Sequence, residues 1–126
     1  MIYPTLRYRD AVKAVDWLVE AFGFEKVAVN LTDDGKVSHA ELRYEDGIIM
    51  LNSAPDDYTF SAHDDFRHVQ CTIYIAVSDV DAHHDRAVAA GAEITYPLTD
   101  QDYGSRDYSA RDLEGNHWHF GTYRPV

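Results

Sequence analysis

Two histidines two residues apart, His117 and His119, are the groups best suited to chemistry in this 126-residue chain. On a β-strand such residues share a face, so both imidazoles point one way while Trp118 and Phe120 point the other. The imidazoles then stand roughly 6.5–7 Å apart, a spacing from which both can reach one metal ion. The same position suits His119 as a general base, because an unperturbed imidazole titrates near ~6.5, or as a hydrogen-bonding group in a pocket. The His83-His84 pair is different. Adjacent helical residues diverge by ~100° and cannot chelate together, so this pair is expected on a solvated helix face. His39, His63 and His68 have no partner at ligand spacing. Cys71 is the single cysteine, which excludes an intramolecular disulfide and fits a reducing compartment; beside Thr72 on one strand, it is expected to face the opposite side as a buried, inert thiol. No nucleophile elbow, phosphate-cradling loop, zinc-spaced cysteine set, dinucleotide fingerprint or heptad repeat is present.

The elements that must position these histidines occur twice. Tyr8-Arg9-Asp10 opens an apolar-periodic segment that ends at Gly23-Phe24-Glu25, and Val77-Ser78-Asp79 opens another that ends at Gly91-Ala92-Glu93. The aspartates lie 69 residues apart and the glycines 68, and Glu45-Asp46-Gly47 and Leu113-Glu114-Gly115 keep the same step. A repeat of this length is one supersecondary unit duplicated. Strands are expected at residues 2–8, 25–31, 36–44 and 48–53, with a helix capped by Asp10 on which Val12, Val15, Leu18, Val19 and Phe22 recur at helical spacing. In the second half, strands are expected at 68–77, 92–97, 105–111 and 116–123, with a helix over 79–90. Residues 1–53 form one β-α-β-β-β module, 54–65 a polar linker and 66–126 the second module, all in one α+β domain. Two open, curved antiparallel sheets, each backed by a helix, would form a cup between them. Tyr3, Tyr74 and Tyr108 should face that cup by alternation, supplying flat apolar faces and hydroxyls that orient a ligand. Arg7 and Arg106 also reach toward it or pair with acidic neighbours.

The order β-α-β-β-β twice, with Val77-Ser78-Asp79-Val80-Asp81, Ala90-Gly91-Ala92, Tyr103-Gly104-Ser105-Arg106 and Arg111-Asp112-Leu113-Glu114-Gly115-Asn116, resembles the vicinal oxygen chelate superfamily. The closing Trp118-His119-Phe120-Gly121-Thr122-Tyr123 is similar to its glyoxalase/bleomycin resistance protein/dioxygenase branch. Leu113 stands where the turn commonly has proline. The resemblance implies one divalent metal held by His, Glu or Gln from the first and last strands of each half. The corresponding residues here are Tyr3, Met50 (or Leu51 if the register slips by one), Thr72 and His119. Of these four, only His119 is a good ligand for a first-row metal, so the inherited site reads as lost and no cofactor is expected.

The resemblance then implies a binding protein of the bleomycin-resistance kind. Its metal-free, aromatic-walled cleft takes a small organic molecule through Tyr3, Met50, Thr72, Tyr74, Tyr108, His117 and His119, as in toxin or antibiotic sequestration. The alternatives are a metal-dependent lyase, isomerase or dioxygenase that recruits His117 and His119, and a metal-free acid–base enzyme using His119. A homodimer is expected, since exposed sheet edges are usually covered by another chain. The formal net charge of −11, with 11 Lys plus Arg against 22 Asp plus Glu, argues against nucleic acid and anionic membrane surfaces. No apolar run approaches ~18 residues and no leader is recognisable, so a cytoplasmic protein is expected.

Overall fold

The computed structural model describes residues 1–59 and 71–125, in two compact units divided between residues 60 and 61. The expected strand start at 68–70, linker residues 60–65, His63 and His68 lie outside the described residues.

The first unit runs β1 (Thr5–Tyr8), α1 (Ala11–Phe22), β2 (Glu25–Leu31), β3 (Val37–Tyr44) and β4 (Gly47–Ser53). Asp10 starts α1 by accepting the amide of Lys13 at 3.1 Å, and Gly23 ends it in the left-handed conformation with φ 81°. Ala11, Ala14, Val15, Leu18, Ala21 and Phe22 are buried along one stripe of the helix, which packs on β3 and β4 over buried Ala40, Leu42, Ile49 and Leu51.

The second unit repeats the order: β5 (Ile73–Ala76), α2 (Val80–Ala89), β6 (Glu93–Asp100), β7 (Arg106–Arg111) and β8 (His117–Gly121). Asp79 caps α2 through the amide of Ala82 at 3.1 Å, and Gly91 follows it at φ 90°. Both caps of the repeat are therefore realised.

The sheets are mixed, where wholly antiparallel ones were expected. Their orders are β1-β4-β3-β2 and β5-β8-β7-β6, with β1 parallel to β4 and β5 parallel to β8. The reason is directional. The helix returns the chain so that the next strand runs the same way as the first, and two hairpins later the fourth strand runs that way again. Lying beside the first strand, it must pair with it in parallel. The edge strand β6 carries exposed Pro97 where its register against β7 shifts, a place where the missing N–H costs no ladder bond.

The two later turns fall in equivalent places, each before the last strand of its unit, but differ in length and build. Tyr44 pairs with Gly47 across a two-residue hairpin, and Glu45 takes the left-handed conformation at φ 52°. Residues 112–116 instead form a longer loop around the Asp112 carboxylate, which accepts from the amides of Glu114 (2.9 Å) and Asn116 (3.0 Å) and from the Trp118 indole N–H (3.1 Å).

His83 corrects a second expectation. It is 7% exposed beneath α2, its Nδ1 lies 2.6 Å from the Tyr108 hydroxyl, and its ring centroid lies 4.4 Å from that of Phe120. Val80, His83 and Ala87 are the buried residues of the helix and follow an i, i+3, i+7 pattern, so His83 occupies a core position. His83→Ala is expected to destabilise the protein by about 1–2 kcal/mol, from the lost ring contact and the lost hydrogen bond to Tyr108. Urea denaturation measures this, and a loss within about 0.5 kcal/mol of zero, as for an ordinary surface site, would contradict the packing.

Candidate functional site

β8 lies in the sheet between β5 and β7, so its residues on the face away from α2 are flanked on both sides. His119 is paired with Tyr74 on β5 and with Ser109 on β7; His117 is paired with Arg111. Thr72, just ahead of β5, completes the set; its neighbour Cys71 is exposed rather than buried, because both residues precede the strand that was expected to carry them. Thr72, Tyr74, Ser109, His117, Trp118 and His119 line a cavity of about 250 Å³. Trp118 borders it from the strand itself, since its indole lies on the helix side, stacked with Phe120 at 6.4 Å.

His119 sits in a chain of hydrogen bonds. Its Nδ1 is 2.5 Å from Ser109 Oγ and its Nε2 is 3.1 Å from Asp107 Oδ2. Asp107 is 1% exposed. Its carboxylate also accepts from the Gln101 side-chain amide at 2.9 Å and the Tyr103 hydroxyl at 3.4 Å. A buried carboxylate needs such donors, and here they fix the imidazole in turn.

Tyr74 lies against His119, with ring centroids 5.5 Å apart and planes tilted by 37°. Its hydroxyl donates to the carbonyl of Tyr123 at 2.6 Å and passes over Gly121, where a Cβ would meet it at 2.9 Å and Asp107 Cβ at 2.7 Å. Burial raises the Tyr74 phenol above its usual range, the Ser105 hydroxyl opposes that, and the Asp107 carboxylate adds to it. Tyr103 is also raised, by desolvation first and then by Asp107.

Four expected site residues, Thr72, Tyr74, His117 and His119, thus come together in one cavity. Tyr108 does not join them. It is fully buried on the helix side, stacked on Phe120 at 5.1 Å, because it pairs with Phe120 and shares that residue's face. The residues missed in its place are its neighbours Asp107 and Ser109, with Gln101 behind them. The signal was available: from Asp107 through Tyr108, Ser109 and Ala110 to Arg111 the polar and apolar residues alternate.

Tyr3 and Met50 belong to the first unit. Tyr3 precedes β1, is 44% exposed, and donates its hydroxyl to Met1 Sδ at 3.1 Å. Met50 pairs with Thr5 and Glu41, as His119 pairs with Tyr74 and Ser109, so Met50 holds the equivalent position. Leu51 is fully buried on the helix side, which removes the alternative register. Asn52 shares the Met50 face, and its Oδ1 is buried with no hydrogen-bond partner among the described residues. Arg7 stacks over Tyr58 at 5.7 Å, and Arg106 is paired with Asp81 (2.9 Å) and Asp100 (3.2 Å), which hold its guanidinium above its usual value.

The residues present do not fit the divalent metal that this kind of fold implies. Tyr3, Met50 and Thr72 are poor ligands for first-row ions, and both ring nitrogens of His119 are engaged by Ser109 and Asp107. Among the described residues, no three His, Cys, Asp or Glu side chains are grouped to hold an ion.

Two β-α-β-β-β modules, each a four-stranded mixed sheet backed by one helix, define the vicinal oxygen chelate class of α+β proteins. The profile of the Glyoxalase/Bleomycin resistance protein/Dioxygenase superfamily matches residues 2–120, and the chain belongs to that superfamily. The uncharacterized protein Mb0911c of Mycobacterium bovis is 34% identical over 121 residues, covering 94% of this chain and 80% of that protein. Among solved structures, TioX from Micromonospora sp. ML1 is similar at 39% identity and a TM-score of 0.79, with 98% of each chain covered. A glyoxalase I mutant from Zea mays shares the fold at 18% identity and a TM-score of 0.73, with 99% of this chain matched to 46% of that one. No helix among the described residues is long and apolar enough to cross a membrane.

Proposed function

We propose that this protein binds a small organic molecule against the sheet face of its second unit, without a metal, as a binding or sequestering protein of the bleomycin-resistance kind. The observation that carries this reading is the cavity itself: His119 is held by Asp107 and Ser109 in one orientation, beside the face of Tyr74. Rigid polar anchors next to aromatic walls are what small-molecule sites offer. The test is a titration of tyrosine and tryptophan fluorescence with aromatic-faced molecules, in the presence of a chelator. Binding is expected to survive chelation and to weaken by roughly 5- to 150-fold in Tyr74→Ala and His119→Ala, the cost of one lost wall or anchor. Unchanged affinity in both variants would refute it.

A second reading, metal-free acid–base chemistry, is favoured by the Asp107–His119–Ser109 chain, in which an imidazole oriented by a buried carboxylate meets a hydroxyl. Turnover of a bound molecule that disappears in His119→Ala would select it over simple binding.

The protein acts as a homodimer in this proposal. Supporting it, Val27, Val29 and Leu31 are exposed along the edge strand β2, an apolar stripe on a strand that invites cover. Light scattering is expected to give twice the chain mass of 14.3 kDa, and a monomer at high concentration would contradict it.

A further inference from the structure

Hydrogen-bond polarity in the cavity limits what its ligand can be. Asp107 is a buried carboxylate, and a carboxylate can only accept. Its Oδ2 lies 3.1 Å from His119 Nε2, so Nε2 carries the ring hydrogen. When the imidazole is neutral, the condition that an alkaline buffer sets, it has one such hydrogen, which leaves Nδ1 as an acceptor. The group facing Nδ1 is Ser109 Oγ at 2.5 Å, and the hydrogen available there is that of the hydroxyl. Ser109 therefore donates to His119, and what its oxygen offers the cavity is lone pairs. The aromatic face beside it is Tyr74, whose own hydroxyl hydrogen is committed to the carbonyl of Tyr123 at 2.6 Å.

From this we infer that the cavity selects a small planar aromatic molecule carrying a hydrogen-bond donor, a phenol O–H or a ring N–H, which it gives to Ser109 Oγ. The inference rests on the binding reading above and adds the ligand's chemical class. An acceptor-only group at the same place, such as an ether or a carboxylate, would set lone pairs against lone pairs. The net charge of −11 opposes a carboxylate as well. Asp107 is a positioning residue here: it acts on the ligand only through the tautomer of His119.

The experiment compares matched probes in mildly alkaline buffer: 2-naphthol against 2-methoxynaphthalene, and indole against 1-methylindole. Amide NMR shifts locate each probe and give its affinity. Each donor probe is expected to bind on the order of tenfold more tightly than its methylated partner, the scale of one lost hydrogen bond in a site built for it. Shifts should centre on Ser109 and His119. Ser109→Ala should erase the difference while leaving the methylated probes nearly unchanged. Asp107→Asn supplies a second arm that does not depend on the alanine variant folding. An amide there can donate to Nε2, which moves the ring hydrogen to Nδ1 and frees the Ser109 hydrogen to face the cavity, so the preference should shift toward the methoxy probe. Equal affinities of matched probes at this cavity in the parent protein would overturn the inference and leave the binding reading standing. Failure of every probe to shift the cavity residues would overturn both.

Discussion

Trp118→Ala is expected to lower stability by about 3–5 kcal/mol, the usual loss when a large buried aromatic ring is truncated. Trp118 heads the fully buried side chains by volume, stacks on Phe120, and gives its indole hydrogen to Asp112. The last contact matters beyond packing, because the Asp112 carboxylate also gathers the amides of Glu114 and Asn116 and so shapes the loop that launches β8. Removing the indole opens a cavity under α2 and takes one donor from a buried acceptor. Trp118→Phe keeps one six-membered ring and loses the hydrogen bond with part of the buried volume, so it should cost less, roughly 1–2 kcal/mol. Chemical denaturation followed by circular dichroism separates the two. A loss under about 1 kcal/mol for the alanine variant would mean that the ring is not the centre of this core.

The same residue shows why the architecture was legible in the sequence. Trp118 and Phe120 alternate with His117 and His119, and that alternation alone assigns the two faces of β8. The duplicated Asp-cap and Gly-stop pairs, Asp10 with Gly23 and Asp79 with Gly91, marked both helices because each does a local job that few residue types can do. What failed was less local. The parallel pairing of β1 with β4 depends on the direction in which four elements return the chain, which no residue type announces. That adjacent histidines cannot chelate together does not put both in solvent: His83 sits between Val80 and Ala87 on the helix stripe and is accommodated there because Tyr108 meets it.

The candidate site divides in the same way. His119 and Tyr74 were accessible through strand parity, since a parallel pair brings them side by side. Asp107 and Ser109 were lost when Tyr108 was assigned to the ligand face, because an error of one residue on a strand inverts every side chain on it. Placing Asp107 on the ligand face requires an aspartate to be fully buried. Here it can be, because Gln101, Tyr103 and His119 all donate to it, and two of those three come from a loop whose course the pattern of apolar residues does not reveal.

Gly121→Val is expected to damage both stability and binding, by about 3 kcal/mol in stability, at the upper end of the cost of overpacking. Gly121 needs no unusual backbone angle; what it needs is room. A Cβ at this position would stand 2.7 Å from Asp107 Cβ, 2.9 Å from the Tyr74 hydroxyl and 3.2 Å from Ser105 Oγ. The Tyr74 contact is with the end of a side chain and can yield. The Asp107 contact cannot yield so easily, because Asp107 and Gly121 are paired across the central strands and separating them opens the ladder. Any retreat of Asp107 also loosens its hold on His119 Nε2, so the anchor of the cavity is disturbed along with the fold. Gly121→Ala tests the division between these two contacts. Combined with Tyr74→Phe, which removes the hydroxyl, Gly121→Ala should recover part of its stability loss, and the two changes should couple by at least ~0.5 kcal/mol, as neighbouring residues do. Strict additivity would mean that the Tyr74 hydroxyl does not pass over Gly121, and the orientation of the aromatic wall of the cavity would have to be redrawn.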